Sequence, residues 1–181
     1  QIGQHTDHVS FRYCDIDGNN NSTGFNIWTQ KSTYQPGDLK EHLVFYKNII
    51  HDCGLYPATD ETGRFGFMID NATSHVWILD NDIYENGDDG VQVIDRNWVS
   101  AIADVEADHI YIGKNRMHHD GENAIDVKGS TNVIISENEI YGYTNLFNTS
   151  FGIWSIPHAL LLFNLLITFK MNIFGKIQNE Y

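Results

Sequence analysis

Apolar and polar positions alternate in short runs along this chain, and the runs recur. His75–Val76–Trp77–Ile78–Leu79–Asp80–Asn81–Asp82–Ile83–Tyr84 superimposes on the ten residues that begin at His109 and on the ten that begin at Asn132. Fainter copies begin at His42 and His8, so successive starts lie 34, 33, 34 and 23 residues apart. In the first run Val76, Ile78, Val133 and Ile135 share one face, a period of two. A second short run follows the asparagine, as in Asp82–Ile83–Tyr84, Arg116–Met117–His118 and Glu139–Ile140–Tyr141. A third follows a turn: Gly24–Phe25–Asn26–Ile27–Trp28, Gly66–Phe67–Met68–Ile69–Asp70, Gly90–Val91–Gln92–Val93–Ile94, Ala124–Ile125–Asp126–Val127–Lys128 and Gly152–Ile153–Trp154.

Three strands per repeat and no helical periodicity predict an all-β fold, a parallel β-helix of about five coils spanning residues 1–157. A unit this short cannot bury its own apolar face, so successive copies must stack, about 4.8 Å per coil. Asn81, Asn115 and Asn138, joined by Asn48, recur at one turn. They predict an asparagine ladder in which the turn adopts left-handed geometry and the amides bond from coil to coil. His42, His75 and His109 read as inward-facing residues that satisfy turn groups. Cys14 and Cys53 read as related positions one place out of register, both suited to the interior rather than to a disulfide.

The polar stretches Thr29–Glu41, Leu55–Arg64 and Asp95–Asp108 interrupt the repeat and are expected to wall a groove. After Pro157 the repeat code stops. The apolar run within residues 158–181 is too short, and too interrupted by Asn164, for a membrane span. It is expected to be either a cap on the stack or a non-native tail. No leader-like stretch opens the chain at Gln1, which already lies within the repeat; a mature protein or a fragment of something longer both fit.

Charge narrows the partners. A formal net charge of −13 and a pI near 4.8 argue against nucleic acid or an anionic membrane. An acidic polymer stays accessible if a cation or a local Lys/Arg cluster bridges the two. The densest acidic cluster falls where two coils superimpose: Asn86–Gly87–Asp88–Asp89–Gly90–Val91–Gln92 over Asp120–Gly121–Glu122–Asn123–Ala124–Ile125–Asp126. Stacking then sets Asp88 near Glu122, Asp89 near Asn123, Gln92 near Asp126 and Ile94 near Lys128. Like charges this close call for a cation or a shared proton, and an all-oxygen set suits Ca²⁺ better than zinc. Asp88, Asp89, Glu122 and Asp126 are therefore the expected metal ligands. Lys128, on the same outer face as Asp126, is the expected base, and Arg116 the expected partner for a substrate carboxylate. Solvated turn acids, or a carboxylate pair for inverting hydrolysis, are the alternatives. Tyr84, Trp98, Tyr111, Tyr141 and Tyr143 are candidate stacking platforms for sugar rings.

The asparagine turn, with Gly-Asp-Asp-Gly-Val-Gln-Val, Asn-Ala-Ile-Asp-Val-Lys and Ser-Thr-Asn-Val-Ile-Ile-Ser-Glu-Asn-Glu-Ile-Tyr, resembles the right-handed parallel β-helix repeat family from about His8 to Trp154. Pectate lyases, alginate lyases and polygalacturonases share that fold. Asp88–Asp89 followed by Gln92 is similar to the calcium-binding aspartates of the pectate lyase family that uses a lysine base; that family carries a third aspartate where Gln92 stands, and Lys128 matches its base. No full polygalacturonase signature is visible. The resemblance implies a secreted or cell-surface protein acting on an acidic polysaccharide by calcium-assisted β-elimination. A glycan-binding or structural β-helix segment, and a hydrolase, are the competing readings.

Overall fold

The computed structural model describes residues 1–3, 5–29, 35, 37–57, 63–94, 106–128 and 130–143, and the backbone of 153–155 and 161–164. The chain lays down strands in repeating threes. The first pass is β1 (Asp7–Arg12), β2 (Asp15–Asp17) and β3 (Phe25–Ile27), and the second is β4 (Lys40–Tyr46), β5 (Ile49–His51) and β6 (Phe67–Ile69). The third is β7 (Thr73–Leu79), β8 (Asp82–Tyr84) and β9 (Val91–Ile94), and the fourth β10 (Asp108–Gly113), β11 (Arg116–His118) and β12 (Ile125–Lys128). Then come β13 (Thr131–Ser136), β14 (Glu139–Tyr141), β15 (Ile153–Ser155) and β16 (Leu161–Asn164). Every pairing is parallel, and the strands sort into three sheets: β1-β4-β7-β10-β13-β16, β14-β11-β8-β5-β2 and β15-β12-β9-β6-β3. This is a β-helix-like solenoid. Among the described residues no helix is long and apolar enough to cross a membrane.

The register is the one the sequence repeat predicts. Val76 pairs with Ile110 and Ile110 with Val133, while Ile78, Ile112 and Ile135 form the next column. These side chains are buried, as are Ile50, Ile83, Met117 and Ile140 from the second sheet and Phe67, Val91, Ile125 and Val127 from the third. Each removes roughly 1.5–3 kcal/mol of apolar exposure. At the N-terminal end, rings fill the space that branched aliphatics fill later: Phe25 stacks on Phe67 at 5.0 Å and packs at 4.7 Å on Phe45.

The corners hold two ladders. In the first, the Asn48 backbone N–H and amide both donate to Asn81 Oδ1, at 2.9 and 3.0 Å. Asn81 does the same to Asn115, and Asn115 to Asn138. The left-handed geometry falls one residue earlier than expected, on Tyr13, Lys47, Asp80, Lys114 and Glu137, with φ of 53–58°. Each of these costs about 1 kcal/mol for a residue with a Cβ, which the buried amide bonds offset. The second ladder runs Cys53, Asn86, Asp120, Tyr143. Cys53 N–H donates to Asn86 Oδ1, both Asn86 N–H groups donate to Asp120 Oδ1, and Tyr143 Oη donates to Asp120 Oδ2. The two cysteines are not equivalent positions. Cys14 N–H donates to Asn48 Oδ1 and heads the first ladder, whereas Cys53 heads the second. Both are free thiols, and burial pushes that of Cys53 up to about 12.

The histidines correct the sequence reading. His8, His42, His75 and His109 stack on one another at 4.4, 5.0 and 4.8 Å, outside the core. Val76 and Ile110 take the interior positions, so the residue before each leaves the sheet on the opposite side. All four sit at φ 49–53°.

The expected division at residue 157 lies largely outside the described residues, although β16 within the apolar segment pairs in parallel with β13. Most of the three polar interruptions, including Trp98, likewise lies outside the described residues.

Candidate functional site

The third sheet carries two of the expected site residues, Asp126 and Lys128, on its outer face. Val91, Val93, Ile125 and Val127 point inward, so Gln92, Asp126 and Lys128 point out. Asp126 pairs with Gln92, and Lys128 with Ile94, as the stacking argument predicts. Asp126 is nevertheless 1% exposed and Asp89 fully buried. Asp126 Oδ2 receives Lys128 Nζ at 2.5 Å, while its Oδ1 is buried without a hydrogen-bond partner. Asp89 is better satisfied: Oδ1 accepts from the backbone and side-chain N–H groups of Asn123 at 3.0 and 2.9 Å, and Oδ2 from Gln92 Nε2 at 3.1 Å. The Gln92 amide thus donates to Asp89 and also favours the Asp126 carboxylate, and its carbonyl oxygen is the acceptor it keeps for a ligand.

The electrostatics follow from that geometry. Burial raises Asp89 well above the usual carboxylate range, and the charges of Glu122 and Asp126 push the same way. Burial also raises Asp126, against the pull of Lys128 and Gln92. For Lys128, burial favours the neutral amine, but the Asp126 ion pair, with Asp89 and Glu122 behind it, outweighs burial and raises its pKa. At rest the group is an ammonium clamped on a buried carboxylate.

The other expected site residues part company. Asp88 Oδ2 caps the Arg64 backbone N–H at 3.0 Å, and its carbonyl accepts from the Glu122 N–H. No three of Asp88, Asp89, Glu122 and Asp126 bring ligand oxygens within 4.8 Å of one another. Arg116 stands on the second sheet, where Nε donates to Asp82 Oδ1 at 2.9 Å and the guanidinium closes a second bond to Oδ2. Its acidic neighbours, Asp82 and Glu139, are not those of Lys128.

Among the described candidates for sugar stacking, the rings are largely engaged with protein groups. His51, Tyr84, His118 and Tyr141 form one column stacked at 4.8–5.2 Å, so the two inner rings, Tyr84 and His118, are covered on both faces and the end rings on one. Tyr143 is tied to Asp120, and Tyr111 Oη lies 2.8 Å from Ser136 Oγ. Two Asp/His groups that the repeat did not announce can coordinate a metal ion: Asp7–His8–His42 and Asp17–His51–Asp52. The signal is present in the sequence, since a histidine recurs at coil starts and a carboxylate precedes it in three of the four copies, as Asp7–His8, Glu41–His42 and Asp108–His109.

No protein-family model matches the chain, and no curated protein matches it. Among solved structures the chain resembles a point mutant of the periplasmic alginate epimerase AlgG, with a TM-score of 0.51 and 14% identity over 74% of this chain. The chain spans 26% of that protein's length. The likeness establishes the shared architecture.

Proposed function

We propose that the chain is part of a carbohydrate-active, right-handed β-helix of about five coils, secreted or on the cell surface, that removes the C5 proton of an acidic polysaccharide. The observation that carries this reading is the Asp126 carboxylate, buried on the outer sheet face with one oxygen on Lys128 and the other unpartnered beside further acids. The solenoid shared with an alginate epimerase supports the substrate class.

The donors are of the kind Ca²⁺ takes, hard oxygens from Glu122 and Asp126 plus the Gln92 carbonyl, with the lone Asp126 oxygen as the anchor; Asp89 would join only by releasing Asn123 or Gln92. Asp88, committed to Arg64, is outside the set. When bound, the ion supplies charge neutralisation for a uronate carboxylate and so makes the neighbouring C–H more acidic. Lys128 acts as the base: neutral Nζ takes the C5 proton, the electron pair forms the C4–C5 double bond, and the C4–O bond to the leaving sugar breaks. The leaving oxygen takes a proton from water. Because Lys128 rests as the ammonium, the rate is expected to climb as pH rises toward its raised pKa. Arg116 is assigned no part in the proton step.

Polygalacturonate and alginate, each with Ca²⁺, should give an ultraviolet-absorbing unsaturated product. Reducing ends without that absorbance would move the assignment to hydrolysis, and neither signal would leave a glycan-binding or structural segment. The ring-on-ring stacking of the His51–Tyr84–His118–Tyr141 column favours the structural segment as the runner-up.

A further inference from the structure

We propose that Asp7, His8 and His42 bind a transition-metal ion of the Zn²⁺ or Cu²⁺ class on the outer edge of the first sheet. The site is independent of the acidic cluster on the third sheet and does not rest on the glycan reading.

The fold builds the site by stacking. His8 and His42 open successive coils in the same left-handed conformation, at φ 53° and 52°, and their rings lie 4.4 Å apart with planes 19° from parallel. Both Nδ1 atoms point at one oxygen: Asp7 Oδ1 is 2.7 Å from His8 Nδ1 and 2.9 Å from His42 Nδ1. Two imidazole nitrogens and a carboxylate oxygen are the donors zinc and copper prefer, and they are poor donors for Ca²⁺. On binding, each imidazole would offer the metal the Nδ1 that now faces Asp7 Oδ1, the ring proton being carried on Nε2.

Tetrahedral coordination at about 2.0 Å needs donors about 3.3 Å apart. Asp7 must therefore back away by roughly half an ångström while the rings tilt together. The side chains are 54%, 73% and 38% exposed for Asp7, His8 and His42, which leaves room for that adjustment and for water at the remaining position.

The second Asp/His group argues the choice by contrast. His51 is clamped by Asp52 at Nδ1, 2.6 Å, and by Asp15 at Nε2, 3.0 Å. Although burial opposes it, those carboxylates raise its pKa, so His51 holds its proton against a metal. At the far end of the histidine column, His109 Nδ1 has its own partner in Asp108 and His75 Nδ1 faces Ser74 Oγ, so no oxygen is shared between two rings.

The test uses the full chain freed of any affinity tag. Zn²⁺ titration by calorimetry should show one site, weakened at least tenfold in Asp7→Asn and in His42→Asn and unchanged in His109→Asn. Asparagine tolerates the left-handed backbone, and circular dichroism checks that each variant keeps its strands. Paramagnetic resonance of bound Cu²⁺ should report two imidazole nitrogens in the wild type and one in His42→Asn. No Zn²⁺ binding at millimolar concentration would overturn the proposal. So would equal binding by Asp7→Asn, or loss of binding in His109→Asn.

Discussion

Asn115→Ala should be among the most damaging single-side-chain deletions in this protein. Its Oδ1 accepts the backbone and amide N–H groups of Asn81 at 2.9 and 3.0 Å, and its Nδ2 donates to Ile78 O at 2.9 Å and Asn138 Oδ1 at 3.0 Å. The partners at Asn81 and Asn138 are 2% exposed, so water cannot replace the lost amide. A hydrogen bond in this setting is worth about 1 kcal/mol net, and a buried group left unpaired costs about 1–3 kcal/mol. With the Asn81 N–H and the Ile78 carbonyl both stranded, the expected loss is about 4–6 kcal/mol, comparable with the whole stability of a small domain. Urea unfolding, followed in parallel by circular dichroism and tryptophan fluorescence, measures it. Lys114→Gly, next along the chain at φ 58°, is the control. It relieves the left-handed backbone and should change stability by less than about 1 kcal/mol. A loss below about 1 kcal/mol for Asn115→Ala would refute the claim that the ladder ties successive coils together.

Asp120 gives a pH dependence. It is fully buried in the second ladder, and burial raises its pKa from 3.8 to about 8. The folded chain then holds a proton that the unfolded chain releases, so this contribution is whole below pH 3.8 and is lost as pH rises toward 8. Asp120→Asn keeps the acceptor that Asn86 uses and should flatten that decline; an unchanged stability-versus-pH slope would contradict the assignment. Gly121→Ala should destabilise by about 3 kcal/mol through overpacking, because a Cβ there would lie 2.0 Å from the Gly87 carbonyl oxygen; a wild-type thermal midpoint would count against it. Arg116→Ala should leave the rate on uronate polymers within about twofold, a ΔΔG‡ below roughly 0.5 kcal/mol, since Arg116 pairs with Asp82 on another sheet; a large loss of rate would return it to the reaction.

What was legible in the sequence was whatever repeated in kind. The columns Val76–Ile110–Val133 and Asn81–Asn115–Asn138 recur as like residues at fixed spacing, and the structure keeps both in register. The second ladder has the same spacing but not the same chemistry: a cysteine backbone, an amide, a carboxylate and a phenol fill equivalent places. One backbone corner accepts all of them because it needs only a hydrogen-bonding group at each step. The histidine column is legible as a repeat but its side is not, since rings stacked at fixed spacing look the same in sequence whether they face the core or water. For the acidic site, stacking placed Asp126 beside Gln92 and Asp89 beside Asn123. It could not show that Asp88 turns to the Arg64 backbone or that Gln92 spends its amide on Asp89, because those depend on side-chain direction.

The central claim is that Lys128 removes the proton at C5 of a uronate residue. Hydrogen–deuterium exchange at that carbon, followed by NMR with polygalacturonate or alginate and Ca²⁺ in heavy water, tests it whether the reaction goes on to cleavage or stops at inversion. Lys128→Arg keeps the ion pair to Asp126 but has no accessible neutral form to act as base. The wild type should exchange or eliminate that proton, faster as pH rises, and Lys128→Arg should lose the activity. Wild-type protein that leaves the C5 proton untouched on both polymers, or a Lys128→Arg variant that works as well as the wild type, would contradict it.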